Sequence, residues 1–163
     1  MNEKTAYFAG GCFWCITPIF VTRGKATVVA GYSGGDEENP TYEDVKHQLT
    51  KHRETIAITY SENNISYDKL LQIFLANIDP YDGEGQFIDR GYSYSPAIYY
   101  CNEEEKLKAE KAIEKLEKES GRKVEVLIEP FKSFWKAEEY HQDYYLKNPE
   151  AFEKELIESG RKK

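Results

Sequence analysis

The chain has 163 residues, 40% apolar and 31% charged, which suits one folded domain with its own core and excludes a disordered acidic chain. Acidic residues outnumber basic ones by 29 to 22, a net charge of −7, so a general phosphate-binding surface is not expected. Apolar runs such as Val28-Val29-Ala30 are far shorter than the ~20 residues of a membrane-spanning helix. Met1-Asn2-Glu3-Lys4 shows no secretory signal, which makes the cytoplasm the expected location.

In chain order, residues 5–9 read as a short strand. Cys12 then begins a helix that Pro18-Ile19-Phe20 ends, or whose first turn they follow. Residues 25–32 are rich in β-branched side chains, a strand with Ala26, Val28 and Ala30 on one face. Ser33-Gly34-Gly35-Asp36 marks a loop, and Thr41 caps a short helix over 42–49, with Asp44 in the capping-box position. Residues 55–60 form a strand with Ile56, Ile58 and Tyr60 on one side. Leu70, Leu71, Phe74, Leu75 and Ile78 give the strongest helical stripe, broken by Asp79-Pro80-Tyr81-Asp82-Gly83.

Residues 97–101 and 123–128 read as strands. Between them, Ala109, Ala112, Ile113 and Leu116 recur at helical spacing within a Lys- and Glu-rich stretch. Asn102 caps that helix and Gly121 ends it. The spacing predicts a helix over 137–146 and an irregular tail from about 148. Strands mixed with helices imply an α/β or α+β sandwich in a single catalytic domain, 1–163.

Chemistry concentrates in Gly10-Gly11-Cys12-Phe13-Trp14-Cys15. Glycines allow a sharp turn between strand and helix and leave the sulfur uncovered. A cysteine at a helix start sits at the positive end of the dipole, which favours the nucleophilic thiolate. Cys15 lies about one helical turn away, where a thiol meets an oxidised Cys12 and closes a disulfide. The other readings are two small buried thiols, or a zinc half-site. Cys101, His47, His52 and His141 offer no pair at metal spacing, so no metal or cofactor is expected. Cys101 ends an apolar strand and reads as a core or edge thiol. Phe13 and Trp14 either pack in the core or line a pocket for a methyl or thioether group.

The sequence resembles the peptide methionine sulfoxide reductase A family, and the likeness runs from about Thr5 to Phe152. Gly11-Cys12-Phe13-Trp14 matches the family's nucleophile motif. Gly31-Tyr32-Ser33-Gly34-Gly35 with Pro40-Thr41-Tyr42-Glu43-Asp44-Val45 is similar to its second block, and His52-Arg53-Glu54 to its His-x-Glu segment. Asp89-x-Gly91-x-x-Tyr94 with Ala97-Ile98-Tyr99-Tyr100 follows. Phe134-Trp135-x-Ala137-Glu138-x-Tyr140-His141-Gln142-Asp143-Tyr144 is similar to the C-terminal block.

The resemblance implies a two-layer sandwich on a mixed sheet with a ferredoxin-like core. It implies reduction of the S epimer of methionine sulfoxide, free or in proteins, a repair long attributed to this family. Cys12 would attack the sulfoxide sulfur and Glu54 would protonate its oxygen. Tyr42 and Tyr94 would bind that oxygen, Asp89 would order the site, and Phe13 and Trp14 would hold the methyl group. A sulfoxide is a poor electrophile until its oxygen accepts a proton, so the acid must stay protonated near neutral pH, which burial achieves. The sulfenic acid left on Cys12 condenses to a disulfide, and thioredoxin or another thiol reductant is the implied partner of a monomeric enzyme.

Many family members carry a recycling cysteine in the tail. Residues 148–163 have none, and Cys15 stands where most have glycine. Cys15 is therefore the first candidate for the resolving thiol, ahead of an external thiol such as glutathione or glutaredoxin, and of Cys101. Lys51 and Arg53 replace the usual glycine and alanine around His52, and Tyr94-Ser95-Pro96 replaces Tyr-Arg-Ser. Lys51 and Arg53 are expected to face solvent; the other option is that they lower the pKa of Glu54. A thioredoxin-like disulfide oxidoreductase using Cys12 and Cys15 is the alternative function, and a sulfoxide-binding module without turnover is a third. Only the reductase needs Glu54 as an acid.

Overall fold

The structure, a computed structural model, describes residues 3–22, 26–87, 89–142 and 147–158. Its main elements are β1 (Glu3–Ala9), α1 (Phe13–Thr22), β2 (Thr27–Ser33), α2 (Tyr42–Lys46), β3 (Arg53–Ser61) and α3 (Tyr67–Ala76). A short hairpin, β4 (Gly85–Gln86) and β5 (Asp89–Arg90), leads to a 3-10 turn at Tyr92–Tyr94. There follow β6 (Ala97–Tyr100), α4 (Glu103–Ser120), β7 (Leu127–Pro130), β8 (Phe134–Lys136) and α5 (Pro149–Glu158).

Six strands form one sheet in the order β7-β6-β1-β3-β2-β8. Among the described residues only β6 and β7 pair in parallel. Within it, β1-α1-β2-β3-α3-β6 takes the spatial order β6-β1-β3-β2, the ferredoxin-like arrangement. The period of two sorts the faces. Phe8, Val28, Ala30, Ile56, Ile58 and Ile98 point toward Ile16 and Phe20 of α1 and Leu70, Leu71 and Phe74 of α3, and together these form the main core. On the other face Ala9, Ala97 and Tyr99 make a smaller cluster with Tyr7 and Phe131. The α/β two-layer sandwich expected from the sequence is present.

Several local expectations need correction. Pro18 lies inside α1, which runs on to Thr22. Pro18 contributes no N–H to the ladder, but Ile16 and Phe20 on either side of it are 1% exposed, and core burial outweighs the lost bond. Helix α2 starts on its Thr41 cap as expected, yet ends at Lys46, because Gln48 takes a left-handed φ of 62°. The strand expected over 123–128 begins only at Leu127. Upstream, Val124 N–H donates to Glu117 Oε2 and Glu125 N–H to the Pro80 carbonyl, so those donors go elsewhere than to a ladder.

The helix expected over 137–146 is a 3-10 turn at Glu139–His141, and residues 143–146 lie outside the described ones. The Gln142 side chain accepts from Ala30 N–H and donates to the Ala30 and Ala137 carbonyls, tying this segment to β2. The tail expected to be irregular from about 148 contains α5. Lys25, at the expected start of β2, lies outside the described residues.

Gly10 lets the end of β1 press against α3. A Cβ there would stand 2.8 Å from Phe74 Cε1 and 2.9 Å from Ile78 Cγ2. We expect Gly10→Ala to destabilise the fold by about 1–3 kcal/mol through overpacking. Urea unfolding measures this; an unchanged midpoint would show that the Phe74 contact yields freely.

Candidate active site

The site gathers at the end of the sheet where β1 stops and β3 and β6 start. Phe8 pairs with Ile56, so continuing the antiparallel register by two residues sets Gly10 level with Glu54. Gly11 then turns the chain at φ +88°, and Cys12 stands immediately before the first residue of α1. At that helix start Phe13 N–H donates to Glu54 Oε1 at 3.1 Å. The carboxylate thus takes one of the backbone donors a helix leaves open at its first turn.

Glu54 is 1% exposed. Burial pushes its pKa up from 4.5, Asp89 and Cys15 add to the rise, the Phe13 N–H and the Tyr94 hydroxyl oppose it, and the result is about 8. Its second oxygen, Oε2, is buried without a hydrogen-bond partner. A carboxyl so placed keeps its proton at neutral pH and can give it away.

The surroundings of Cys12 oppose the shift toward thiolate that its place at a helix start leads one to expect. The hydrogen bond with Cys15, then burial, then the charges of Cys15, Glu54 and Asp89 hold the Cys12 thiol well above its ordinary value. A helix start typically contributes about 0.3–1 kcal/mol toward an anion at an exposed position. Full burial next to other acidic groups outweighs it. Cys12 and Cys15 are both free, buried thiols, and the hydrogen bond between them puts their sulfurs in reach of each other.

Tyr42, the first residue of α2, and Tyr94, the last of the 3-10 turn, bring their hydroxyls together by hydrogen bonding. Burial, first, and Glu54, second, raise the pKa of both, which keeps both as donors. Asp89 sits on β5 in the hairpin just before that turn, half-buried. Phe13, Trp14 and Tyr42 surround the His141 ring, with centroids 5.2, 5.3 and 4.3 Å away. Trp14 Nε1–H donates to His141 Nδ1 at 2.9 Å, which requires a neutral imidazole, and burial lowers the His141 pKa. Glu138 accepts from the Tyr32 hydroxyl at 2.8 Å and from Tyr42 N–H at 3.0 Å, so it fixes the start of α2.

All eight sequence-predicted residues, Cys12, Phe13, Trp14, Cys15, Tyr42, Glu54, Asp89 and Tyr94, therefore belong to this end of the fold. Cys101 does not. Register places Tyr99 beside Tyr7, so Cys101 lies toward the start of β1, on the order of 15 Å or more from Cys12 along the strands. Sequence reasoning missed His141 and Glu138 as parts of the site. Both stand in the quoted C-terminal block, but separation along the chain hides their contact with Trp14 and Tyr42.

Lys51 is exposed, as expected. Arg53 is not: it is 1% exposed. Adjacent strand residues face opposite ways, so Arg53 lies behind the sheet from Glu54 and is absent from the main influences on that carboxyl. Its Nε donates to Ser95 Oγ at 2.8 Å, so two of the departures from the family pattern meet in space.

A buried thiol pair beside a protonated carboxyl, at the edge of an α/β sandwich, defines a cysteine-based oxidoreductase. Residues 4–163 match the family described as peptide methionine sulfoxide reductase. A relative from Bacillus velezensis, peptide methionine sulfoxide reductase MsrA, is 45% identical over 166 residues, covering 99% of this chain and 94% of its own. Mxr1 from Saccharomyces cerevisiae in its reduced form superposes with a TM-score of 0.85 at 28% identity, covering 91% of this chain and 87% of that one. The structure of Mxr1 in complex with Trx2 shares the fold at a TM-score of 0.60 and 22% identity, over 88% and 85% of the two chains. The chain belongs to the peptide methionine sulfoxide reductase family. Its activity is therefore methionine sulfoxide reduction rather than thioredoxin-like disulfide exchange.

Because the Glu54 pKa is raised from 4.5 to about 8 on folding, the native state holds a proton that the unfolded chain has lost across that window. The contribution of Glu54 to stability is then greatest below pH 4.5 and falls as pH rises toward 8. We expect Glu54→Gln to gain stability relative to the native protein between pH 5 and pH 8. Urea unfolding of both proteins at the two pH values checks this; parallel pH profiles would show that Glu54 is not shifted.

Proposed function

We propose that the protein reduces the S epimer of methionine sulfoxide, free or in oxidised proteins, with Cys12 as nucleophile and Glu54 as acid. The observation that carries this reading is the Glu54 carboxyl, which is buried, held by the Phe13 N–H beside Cys12, and raised to about 8. Phe13 and Trp14 take the methyl group, Tyr42 and Tyr94 donate to the sulfoxide oxygen, and Asp89 orders their surroundings.

The sulfoxide sulfur carries partial positive charge and the oxygen partial negative charge. As the oxygen takes the Glu54 proton, the sulfoxide sulfur becomes a better electrophile and the Glu54 carboxylate left behind can accept the Cys12 proton, so the thiol loses its proton as its sulfur attacks. The proton lost by Cys12 restores the one given by Glu54. The bond that the attack forms between Cys12 and the substrate sulfur then breaks together with the S–O bond as the hydroxyl passes to Cys12, and the step closes as thiol plus sulfoxide giving sulfenic acid plus methionine. The two tyrosine hydroxyls face the place where charge develops on oxygen.

Cys15 then attacks the Cys12 sulfur, expelling water and forming a disulfide. The hydrogen bond between the two thiols supports Cys15 in this role, and the strand distance argues against Cys101. An external dithiol restores both thiols and is itself oxidised. Thioredoxin is the proposed reductant, a reading supported by the capture of yeast Mxr1 with Trx2. Every proposed group comes from one chain, so the cycle runs in a monomer, and its reductant suits the cytoplasm. No helix among the described residues is long and apolar enough to cross a membrane.

Single turnover without reductant tests the cycle. Mixing the reduced protein with S-methionine sulfoxide should form methionine with loss of two thiols, and Cys15→Ser should lose only one. Two thiols lost in Cys15→Ser would end the case for Cys15. Glu54→Gln should lower the rate by about 10²–10⁴-fold, the usual span for a general acid. In the native enzyme kcat should fall as pH rises through about 8, where Glu54 gives up its proton. A Glu54→Gln rate near native would remove the acid from the mechanism.

A further inference from the structure

Arg53 heads the fully buried side chains by volume, and the reaction above gives it no task. Its guanidinium meets four side chains behind the sheet. Nε donates to Ser95 Oγ at 2.8 Å, and one terminal nitrogen donates to the Tyr99 hydroxyl at 2.9 Å and to Glu129 Oε1 at 2.8 Å. Its plane lies 4.4 Å from the centroid of the Tyr92 ring. Arg53 is buried while its carboxylate partner Glu129 is 34% exposed, and a charge so desolvated gains little over a well-packed apolar side chain, so stability alone does not account for it.

Two of the four partners, Tyr92 and Ser95, bracket Tyr94. Ser95 Oγ passes the constraint on by donating to the Tyr92 carbonyl at 2.6 Å. The turn itself is only three residues long, closed by Tyr94 N–H to Gly91 and Ser95 N–H to Tyr92. Such a 3-10 turn has weak hydrogen-bond geometry and holds a side chain poorly unaided. Gln48 holds the turn as well: its amide accepts from Ser93 N–H at 3.0 Å and donates to Ser93 Oγ at 2.8 Å.

We infer that Arg53 is a positioning residue for sulfoxide reduction: from behind the sheet it fixes the Tyr92–Tyr94 turn, through Ser95 and Tyr92, so that the Tyr94 hydroxyl stands over Glu54. This rests on the proposed role of Tyr94. Arg53 acts on that hydroxyl by placement, and leaves the titration of Glu54 as it is.

The test compares Tyr94→Phe, Ser95→Ala and Arg53→Met, and the last two each combined with Tyr94→Phe, in steady state with dithiothreitol and methionine sulfoxide. Ser95→Ala and Arg53→Met should each lower kcat by on the order of 10-fold, a typical effect of slight misplacement. The alkaline limb of the pH profile should stay in place. In the Tyr94→Phe background neither change should cost anything further. Losses that multiply with that of Tyr94→Phe, or native rates in both single variants, overturn the inference. If Arg53→Met fails to fold, Ser95→Ala decides, because it keeps the Arg53–Glu129 pair. A native rate in Tyr94→Phe itself would remove the role of Tyr94 and the inference with it. Impairment in Tyr94→Phe alone would remove only the role of Arg53.

Discussion

The hydrogen bond from Phe13 N–H to Glu54 Oε1 ties the start of α1 to the start of β3, and the site is built around it. It draws the Gly10-Gly11-Cys12 turn down onto the sheet and sets the sulfur beside the carboxyl. A carboxyl that is 1% exposed with one backbone donor and one oxygen lacking a hydrogen bond is poorly compensated for charge. Keeping its proton is the cheapest response, and that response is what an acid acting near neutral pH requires. The geometry that closes the fold here therefore also loads the proton.

The same low-dielectric setting acts against the nucleophile. Cys12 gains from the helix start and loses more from burial, from Cys15 and from the two carboxyl groups. In the proposed reaction the resting enzyme therefore holds both protons, and attack is coupled to proton transfer onto the sulfoxide oxygen. An exposed thiolate would be open to any oxidant. A buried thiol that becomes nucleophilic only with its substrate is protected against that. The ring cluster of Phe13, Trp14, Tyr42 and His141, locked by the Trp14–His141 hydrogen bond, shields the neighbourhood.

Glu54 and Arg53 show how one strand serves both faces of the sheet. Successive residues of β3 point oppositely, so a buried acid and a buried base sit side by side in sequence without pairing. Glu54 faces the helices and the thiols. Arg53 faces Tyr99, Glu129 and the turn before β6, where Ser95 offers it an acceptor. Neither neutralises the other, which leaves the Glu54 carboxyl raised.

Much of this was legible in the residues. The alternation of Ile56, Ile58 and Tyr60, the stripe from Leu70 to Ile78, and the Asn102 and Gly121 ends of α4 fixed elements, because burial and capping are local properties of sequence. Gly11-Cys12-Phe13-Trp14 with Glu54, Tyr42, Asp89 and Tyr94 pointed to the chemistry through resemblance. What sequence could not decide were quantities set by distant neighbours. Pro18 marks a helix end locally, but a core contact carried α1 past it. Arg53 reads as a surface charge until strand register shows which face it takes and what waits there. The direction of the Cys12 pKa shift belongs to the same class, since the helix start is visible in the sequence while Glu54 and Asp89 reach the sulfur only in the folded chain. Sequence determined which groups are present and their local backbone; tertiary structure alone decided their solvation and neighbours, and with them where the protons reside.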